Sequence, residues 1–345
     1  MAGDAPVAAG KNGSGAAVLA AAPRPRHGEL AEQVYERVGR AVVGQEVAVE
    51  RLLIALLTGG HLLLEGVPGL AKTLLVQSLA KSIDLTFARI QFTIDLLPAD
   101  LTGSEILDPT SHTFRTHKGP VFTNLLLADE INRSAPKVQS ALLEAMQERR
   151  VTIGNQTHHL PVPFLVVATQ NPIEQAVTFE LPEAQLDRFI MRHRLDYPAP
   201  GEEEEVLRRT LRLGLRRDGD GAVPMSAFDL TDDGPVATKA KLVEAMAQVQ
   251  QVHVSDVFLK HALQLVRRTR EHPRLELGAS PRAGIALVTA ARARAFLHGR
   301  DYAVPEDLFD LAEDVLLHRM RPTYAALAEG WTSARVLQSI MDELS

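Results

Sequence analysis

The octapeptide Gly66–Thr73, GVPGLAKT, has the residue types that hold a chain of phosphates. Its glycines let the backbone wrap an anion so that several N–H groups point inward, and a helix N-terminus that follows adds positive potential. Lys72 is placed to reach the β- and γ-phosphates, and the Thr73 hydroxyl to ligate Mg²⁺. The segment therefore predicts a site for a nucleoside triphosphate with its magnesium ion.

The loop departs from the strict phosphate-binding pattern at one position, where Ala71 replaces a glycine. Alanine can serve there if that residue already has helical dihedrals. The apolar run HLLLE precedes the loop and a helical run follows it, which is the expected strand–loop–helix setting. The predicted nucleotide-binding residues of this segment are Gly66, Val67, Pro68, Gly69, Leu70, Ala71, Lys72, Thr73 and Leu74.

Two carboxylates, Asp129 and Glu130, end the apolar run LLLADE. Ligands of α/β proteins gather beyond the carboxyl ends of parallel strands, which is where this pair falls. Asp129 is placed to hold the Mg²⁺ shell, and Glu130 to polarise an attacking water. An acidic pair after a strand often does no more than start a loop, but the phosphate-binding segment favours the catalytic interpretation.

Three further polar side chains fit triphosphate hydrolysis, each with an alternative. Asn171, in LVVATQNP, can hydrogen-bond a γ-phosphate and water, although Asn-Pro is also a common turn signal. Arg188, in LPEAQLDRF, is either an arginine finger for a neighbouring subunit or a salt-bridge partner of Glu183 or Asp187. Arg282 follows Ser-Pro in a first helical turn, where the macrodipole disfavours a cation by about 0.3–1 kcal/mol. A bound phosphate would offset that cost, and so would solvent exposure.

Short β-type runs alternate with helical patterns from residue 30 to about residue 197, which predicts an α/β fold with a parallel sheet. Five such runs occur, and four of them are apolar almost throughout, as strands covered on both faces should be: His61–Glu65, Phe87–Phe92, Asn124–Asp129 and Phe164–Thr169. The fifth, Met191–Tyr197, is more polar and is predicted at a sheet edge.

After Pro198 the pattern predicts helices only, with a loop or linker at Asp218–Asp233. One helix begins at the N-cap Ser280 and runs to Gly299. We therefore predict a nucleotide-binding domain at 28–198 and a linker plus helical lid at 199–345. Two predicted core stripes have helical spacing: Leu308, Leu311, Ala312 and Val315, and Leu259, Ala262, Leu263 and Val266.

Residues 1–27 are rich in Ala, Gly and Pro, which predicts a disordered N-terminal arm. A signal peptide is the alternative, because residues 16–22 are mildly apolar, but Asp4 lies in the would-be basic region. No apolar run approaches the roughly 18–20 residues of a membrane helix.

Composition narrows the function classes. The chain of 345 residues has no cysteine, which excludes disulfides, zinc–thiolate sites and a cysteine nucleophile. That absence fits a reducing compartment, and we predict a cytoplasmic location. The net charge of −6 gives no bulk attraction to nucleic acid or anionic lipid.

The motifs GVPGLAKT, LLLADEINR, VVATQNP, LPEAQLDRF and GASPRA occur in the order and spacing typical of AAA+ ATPases. More narrowly, the sequence resembles the MoxR family from residue 30 to about residue 321. VVGQ at Val42–Gln45 is similar to the family's adenine-side segment, and QFTIDLLPADLTG at Gln91–Gly103 is also MoxR-like. Ala71 matches the family's variant of the phosphate loop.

The resemblance implies an AAA+ P-loop NTPase core followed by a helical lid. It implies a helix-2 insertion around Gly103–Phe122 and a hairpin before sensor 1 at Val151–Leu160. It also implies these residue roles: adenine-side contacts for Val43, Gly44 and Gln45, Walker A for Lys72 and Thr73, Walker B for Asp129 and Glu130, sensor 1 for Asn171, the finger for Arg188, and sensor 2 for Arg282.

What the resemblance implies about activity is ATP hydrolysis with Mg²⁺ in a homo-oligomeric ring, usually a hexamer. Members of the family are regarded as chaperone-like remodellers or maturation factors. They often work with a von Willebrand factor A-domain partner on a protein client.

Two other functions would use the same ATPase core. A nucleic-acid motor needs basic pore side chains, but Val151–Leu160 contains no Lys or Arg. In the insertion, Arg115 and Lys118 are balanced by Glu105 and Asp108. The ATPase subunit of a metal chelatase would need a partner-specific insertion, which the sequence does not reveal.

Overall fold

The computed structural model describes residues 28–110, 112–172, 178–231 and 234–344, so the predicted N-terminal arm lies outside the described residues. The strands are β1 (Leu62–Glu65), β2 (Phe87–Gln91), β3 (Gly103–Asp108), β4 (Thr113–Lys118), β5 (Leu125–Asp129), β6 (Arg150–Ile153), β7 (Gln156–His159), β8 (Leu165–Gln170), β9 (Met191–Arg194), β10 (Leu215–Asp218), β11 (Gly221–Pro224), β12 (Leu275–Leu277) and β13 (Arg321–Pro322). The helices are α1 (Glu29–Ala41), α2 (Glu46–Thr58), α3 (Lys72–Ser82), α4 (Pro98–Thr102), α5 (Pro136–Glu148), α6 (Glu183–Leu186), α7 (Pro200–Arg212), α8 (Lys239–Val249), α9 (Asp256–Glu271), α10 (Pro281–Leu297), α11 (Pro305–Leu316), α12 (Tyr324–Ala328) and α13 (Ser333–Leu344).

The central sheet is parallel and has the strand order β2-β5-β8-β1-β9. Because successive side chains of a strand point to opposite faces, the sheet divides the core in two. Leu125 and Leu127 of β5 pack with α1, α2, α3 and the C-terminal helices, whereas Leu126 packs with α5 on the other face. This confirms the predicted α/β sheet and explains why its inner strands are apolar throughout.

One strand prediction was wrong in its burial. Phe87–Phe92 was expected to be covered on both faces, but β2 lies at the edge of the sheet, with Arg89 and Gln91 exposed. Apolar content cannot distinguish an edge from a centre, because strand order depends on long-range pairing. The polar run at Met191–Tyr197 does form an edge strand, β9, as expected.

Two antiparallel hairpins project from this core at the positions predicted for the insertion and the pre-sensor hairpin. β3 pairs with β4 from Gly103↔Lys118 to Asp108↔Thr113, and β6 pairs with β7. The second hairpin begins at Arg150, one residue earlier than predicted, so it does carry one arginine. Arg150 is ion-paired with Glu148 at 3.2 Å.

The C-terminal part is mainly helical, as predicted, but not exclusively. β10 and β11 form a hairpin that begins before the predicted loop at Asp218–Asp233 and extends into it, and β12 pairs with β13. The stripe from Leu308 to Val315 is buried, whereas Leu259 and Leu263 are 44% and 56% exposed. The buried face of α9 instead runs through Phe258, Ala262, Leu265 and Val266.

Charged side chains fasten the lid helices to the core. Asp314 of α11 accepts from Arg51 Nε of α2 at 2.5 Å and contacts His193 Nδ1 of β9 at 2.9 Å. Arg294 of α10 is ion-paired with Glu50 of α2 at 3.6 Å. In the part of the chain that the structure describes, no helix is both long and apolar enough to cross a bilayer.

His61, directly before β1, is a buried histidine held neutral by its surroundings. Its Nε2–H donates to Met146 O at 3.2 Å, and its Nδ1 accepts from Val166 N at 3.0 Å. Burial lowers the pKa of His61 to about 4. Because an unfolded chain protonates this ring near pH 6.5, the unfolded state binds the proton first, and stability is lost as pH falls from about 6.5 to about 4.

We expect His61→Gln to remove part of this acid sensitivity. Glutamine can donate to Met146 O and accept from Val166 N without titrating. The wild type should lose about 2 kcal/mol more free energy of unfolding between pH 7 and pH 4.5 than the variant does, measured by chemical denaturation. The exposed His159→Gln is the control, and equal pH dependence in all three proteins would contradict the assignment.

Candidate active site

The phosphate-binding segment joins the carboxyl end of β1 to the start of α3. Gly69 has φ 91°, a left-handed conformation that favours glycine. The amide of Gly66 donates to Gln170 O at 3.3 Å, which links the loop to the end of β8. Lys72 Nζ lies across the loop and donates to Gly66 O at 2.6 Å and Val67 O at 3.3 Å.

Lys72 interacts electrostatically with the carboxylates at the end of β5, although β8 lies between β5 and β1 in the sheet. Burial lowers the pKa of Lys72, and the charges of Asp129 and Glu130 act in the opposite direction. The predicted phosphate-binding cation and the predicted metal-binding pair therefore share one electrostatic site.

The expectation that Ala71 has helical dihedrals was wrong. Ala71 has φ 54° and ψ 25°, a left-handed conformation, and it caps α3 as the residue before the first helical position. A left-handed non-glycine residue costs on the order of 1–2 kcal/mol. The loop therefore keeps the shape of a glycine-bearing phosphate loop at the expense of backbone strain.

Asp129, at the end of β5, has both carboxylate oxygens engaged. Oδ1 accepts from the Thr169 hydroxyl at 2.6 Å. Oδ2 accepts from Arg89 Nε at 3.1 Å and Arg89 Nη2 at 2.6 Å. Asp129 is 8% exposed, so these contacts fix its carboxylate at the strand end.

Glu130, the predicted water-activating residue, is held in a defined position. Its backbone has φ 57°, and its amide donates to Thr169 Oγ at 2.9 Å. Its Oε2 accepts from Gln91 Nε2 at 2.7 Å and is ion-paired with Arg133 Nε at 3.0 Å. The left-handed turn at Glu130 separates the two carboxylates, and each is paired with a different cation, Asp129 with Arg89 and Glu130 with Arg133.

The other predicted residues at this edge of the sheet lie where the topology requires. Asn171 follows the last residue of β8 and is 6% exposed. Thr73 lies in the first turn of α3, after Lys72.

The hydroxyl of Thr73 and the near-buried carboxylate of Asp129 are oxygen ligands of the kind Mg²⁺ prefers, so the donor set fits the ion. When bound with the nucleotide, Mg²⁺ would neutralise phosphate charge here.

The predicted adenine-side segment is linked to the same edge. Gln45, the residue before α2, donates from Nε2 to Asp196 O at 3.4 Å. Gly44 has φ 72°, and the Glu202 carboxylate lies against the position that a Cβ on Gly44 would occupy. Val43 precedes them in the same turn. The chain that follows β9 thus passes Gly66 at Leu195 and then meets Gln45 and Gly44.

Arg188 and Arg282 are not brought to this edge. The amide of Ile190 donates to His61 O at the amino end of β1, whereas Leu195 N donates to Glu65 O at its carboxyl end. At about 3.3 Å per residue, these two ends are about 13 Å apart. Arg188 therefore lies at the end of the sheet opposite to Lys72.

Arg188 makes neither of the salt bridges considered from the sequence. It donates to Leu143 O at 3.2 Å and to Gln147 Oε1, near the C-terminus of α5. It also lies beyond α6, which ends at Leu186, rather than late in a helix.

Arg282 has an acidic partner that the sequence argument did not include. Its Nη1 lies 3.6 Å from Asp187 Oδ2, and its side chain is 59% exposed. Asp187 also pairs with the buried Arg319 at 2.6 Å. The cost of a cation in the first turn of α10 is thus offset by Asp187, and no bound phosphate is required to explain it. Because Asp187 directly precedes Arg188 in the chain, its contact with Arg282 places both arginines at the amino end of the sheet.

Sequence reasoning missed the role of Arg89 and the pairing of Gln91 with Glu130. Arg89 and Gln91 are two residues apart, so on a strand they share a face, and this spacing was the available signal. Which carboxylates they meet depends on the register Gln91↔Asp129 between β2 and β5.

The comparisons agree with this geometry. Residues 61–191 match the model of the ATPase family associated with various cellular activities, and residues 267–340 match the AAA lid domain. The chain is 42% identical over 328 residues to "Chaperone MoxR1" of Mycobacterium tuberculosis, covering 91% of this chain and 81% of the relative. It is 43% identical over 312 residues to "Uncharacterized protein YeaC" of Bacillus subtilis, covering 90% and 93%.

A solved structure of a putative ATPase from Cytophaga hutchinsonii is 45% identical, with a TM-score of 0.81 over 91% of this chain and 93% of that chain. These matches confirm the predicted AAA+ core with a helical lid. The chain belongs to the MoxR family of AAA+ ATPases.

Proposed function

We propose that this protein hydrolyses ATP with Mg²⁺ in a homo-oligomeric ring whose active sites are each shared by two subunits. The observation that carries the proposal is the separation of the predicted catalytic residues. Lys72, Asp129 and Glu130 lie at the carboxyl edge of the sheet, whereas Arg188 and Arg282 lie at its amino edge.

Within one subunit, the residues that bind ATP and position the attacking water lie at the carboxyl end of the sheet. Lys72 and the loop amides bind the phosphates, and Thr73 and Asp129 would hold the metal ion. Glu130 polarises the attacking water, and Asn171 orients it against the γ-phosphate. Two further cations described at this edge, Arg89 and Arg133, are ion-paired with Asp129 and Glu130 rather than with a phosphate.

A neighbouring subunit supplies the cations that meet the charge developing in the transition state. Arg188 and Arg282 cannot reach their own nucleotide, because both lie on the surface at the amino end of the sheet, where Arg188 contacts α5 and Arg282 contacts Asp187. A contact between this surface and the nucleotide edge of the next subunit is heterologous, and it closes into a ring when the rotation permits. The resemblance to the family favours a hexamer.

ATP turnover in such a ring is proposed to drive chaperone-like remodelling or maturation of a protein client. The name of the M. tuberculosis relative supports the chaperone role. Resemblance to the family supports a von Willebrand factor A-domain partner, and we place the protein in the cytoplasm. The charges of the hairpins do not favour nucleic acid, because Arg115 is paired with Asp108 at 2.7 Å and Arg150 with Glu148.

Mixing two inactive variants, Arg188→Ala and Arg282→Ala, tests whether both arginines act from the same side of the interface. If both act across it, no neighbour in the mixed ring presents both arginines, so ATP hydrolysis should stay at the level of the parents. If Arg282 served its own nucleotide, each Arg188→Ala subunit beside an Arg282→Ala subunit would have a complete site, and activity would return.

The control is a mixture of Arg282→Ala with Glu130→Gln, in which the Glu130→Gln subunit supplies both arginines. This mixture should recover a substantial part of the wild-type rate, measured by phosphate release. If it does not, and size-exclusion chromatography shows that the subunits exchange, the proposal that Arg282 completes a neighbour's site is wrong.

A further inference from the structure

Arg89 lies in the middle of the edge strand β2, and its guanidinium is committed to the predicted metal ligand. Both Nε and Nη2 donate to the same oxygen of Asp129, at 3.1 and 2.6 Å. Because the other oxygen accepts from Thr169, the described contacts engage the whole carboxylate. Arg89 therefore supplies the positive charge that Mg²⁺ would supply in the nucleotide complex.

The same guanidinium is connected to the catalytic carboxylate. Arg89 Nη2 donates to Gln91 Oε1 at 2.7 Å, and Gln91 Nε2 donates to Glu130 Oε2 at 2.7 Å. Asp129, Arg89, Gln91 and Glu130 thus form one chain of hydrogen bonds. Gln91 is held at both ends of its amide, and Glu130 is also ion-paired with Arg133 Nε at 3.0 Å.

The members of this chain differ in their freedom to move. The Asp129 side chain is 12% exposed and is fixed at a strand end, whereas the Arg89 side chain is 46% exposed on an edge strand. An exposed guanidinium can leave the pair and be solvated at small cost, whereas the buried carboxylate requires another cation in its place. Because Arg89 is the more exposed partner, we expect Arg89 to leave and another cation to replace it, while Asp129 stays in place.

We propose that Arg89 is a positioning residue that balances the charge of Asp129 before the metal nucleotide binds and gives up that contact when it does. This inference rests on the proposed ATPase function.

The test measures how strongly Mg²⁺ improves nucleotide binding. The quantity is the ratio of the Kd of a non-hydrolysable ATP analogue in EDTA to its Kd in Mg²⁺, determined by calorimetry. In Arg89→Met, Asp129 lacks its counter-cation, so binding without metal weakens and the metal no longer competes with a guanidinium. We expect the ratio to rise on the order of tenfold over the wild type, the size of one charge-assisted hydrogen bond.

Two further variants make the result specific. Arg192→Met is the matched control, because Arg192 lies in the opposite edge strand and pairs with a carboxylate, Glu65, at 3.6 Å. It should leave the ratio unchanged. Arg89→Lys keeps the charge without the two-pronged geometry, so it should fall between the wild type and Arg89→Met, and it also serves if Arg89→Met does not fold.

A ratio for the Arg89 variants equal to or below that of the wild type would overturn the inference while leaving the ATPase proposal intact. A wild-type protein that binds no adenine nucleotide with or without Mg²⁺ would instead overturn the proposed function, and the inference with it.

Discussion

The Arg188→Ala variant is expected to bind ATP as the wild type does but to hydrolyse it about 10³–10⁵-fold more slowly. The reason is positional, because Arg188 lies at the end of the sheet opposite to Lys72 and can complete only a neighbour's site. Nucleotide affinity measured by calorimetry and the rate of phosphate release separate the two effects.

Two controls distinguish a finger from a structural arginine. Gln147→Ala removes the side-chain partner of Arg188 within its own chain and should keep most of the activity if that contact is not the function of Arg188. Mixing Arg188→Ala with Glu130→Gln should restore part of the rate, because one interface then combines an intact glutamate with an intact arginine. A mixture as inactive as its parents would rule out completion of the site by Arg188 of a neighbour.

The Glu130→Gln variant is expected to retain ATP while its turnover falls by about 10²–10⁴-fold, the range for loss of a general base. Glutamine keeps the shape of the side chain but cannot accept a proton from water. Single-turnover hydrolysis of pre-bound ATP measures the chemical step directly.

The exposed Glu144→Gln on α5 is the matched charge change and should behave as the wild type. A Glu130→Gln protein that turns over at more than about a tenth of the wild-type rate would exclude Glu130 as the base. Because this variant should hold ATP, it also suits isolation of the client and of a von Willebrand factor A-domain partner, both of which remain proposals.

Much of the nucleotide edge could be predicted from the sequence because its determinants are local. A glycine-bearing turn between a strand and a helix, or a carboxylate pair after an apolar strand, is read within about ten residues. The inner strands β1, β5 and β8 follow from uninterrupted apolar runs. Where the local argument needed a backbone conformation, as for Ala71, it was wrong, because the strain at that residue is imposed by the loop as a whole.

The sequence by itself therefore determined the phosphate loop, the acidic pair, the parallel sheet and the family resemblance, all of which depend on near neighbours in the chain. Only the tertiary structure decided that β2 lies at an edge, that Arg89 meets Asp129, and that Asp187 adjoins Arg282 rather than pairing with Arg188. It also decided that the two arginines and Lys72 lie at opposite ends of the sheet. These relations depend on strand order and register between segments 40 or more residues apart, and no local sequence pattern specifies such pairings.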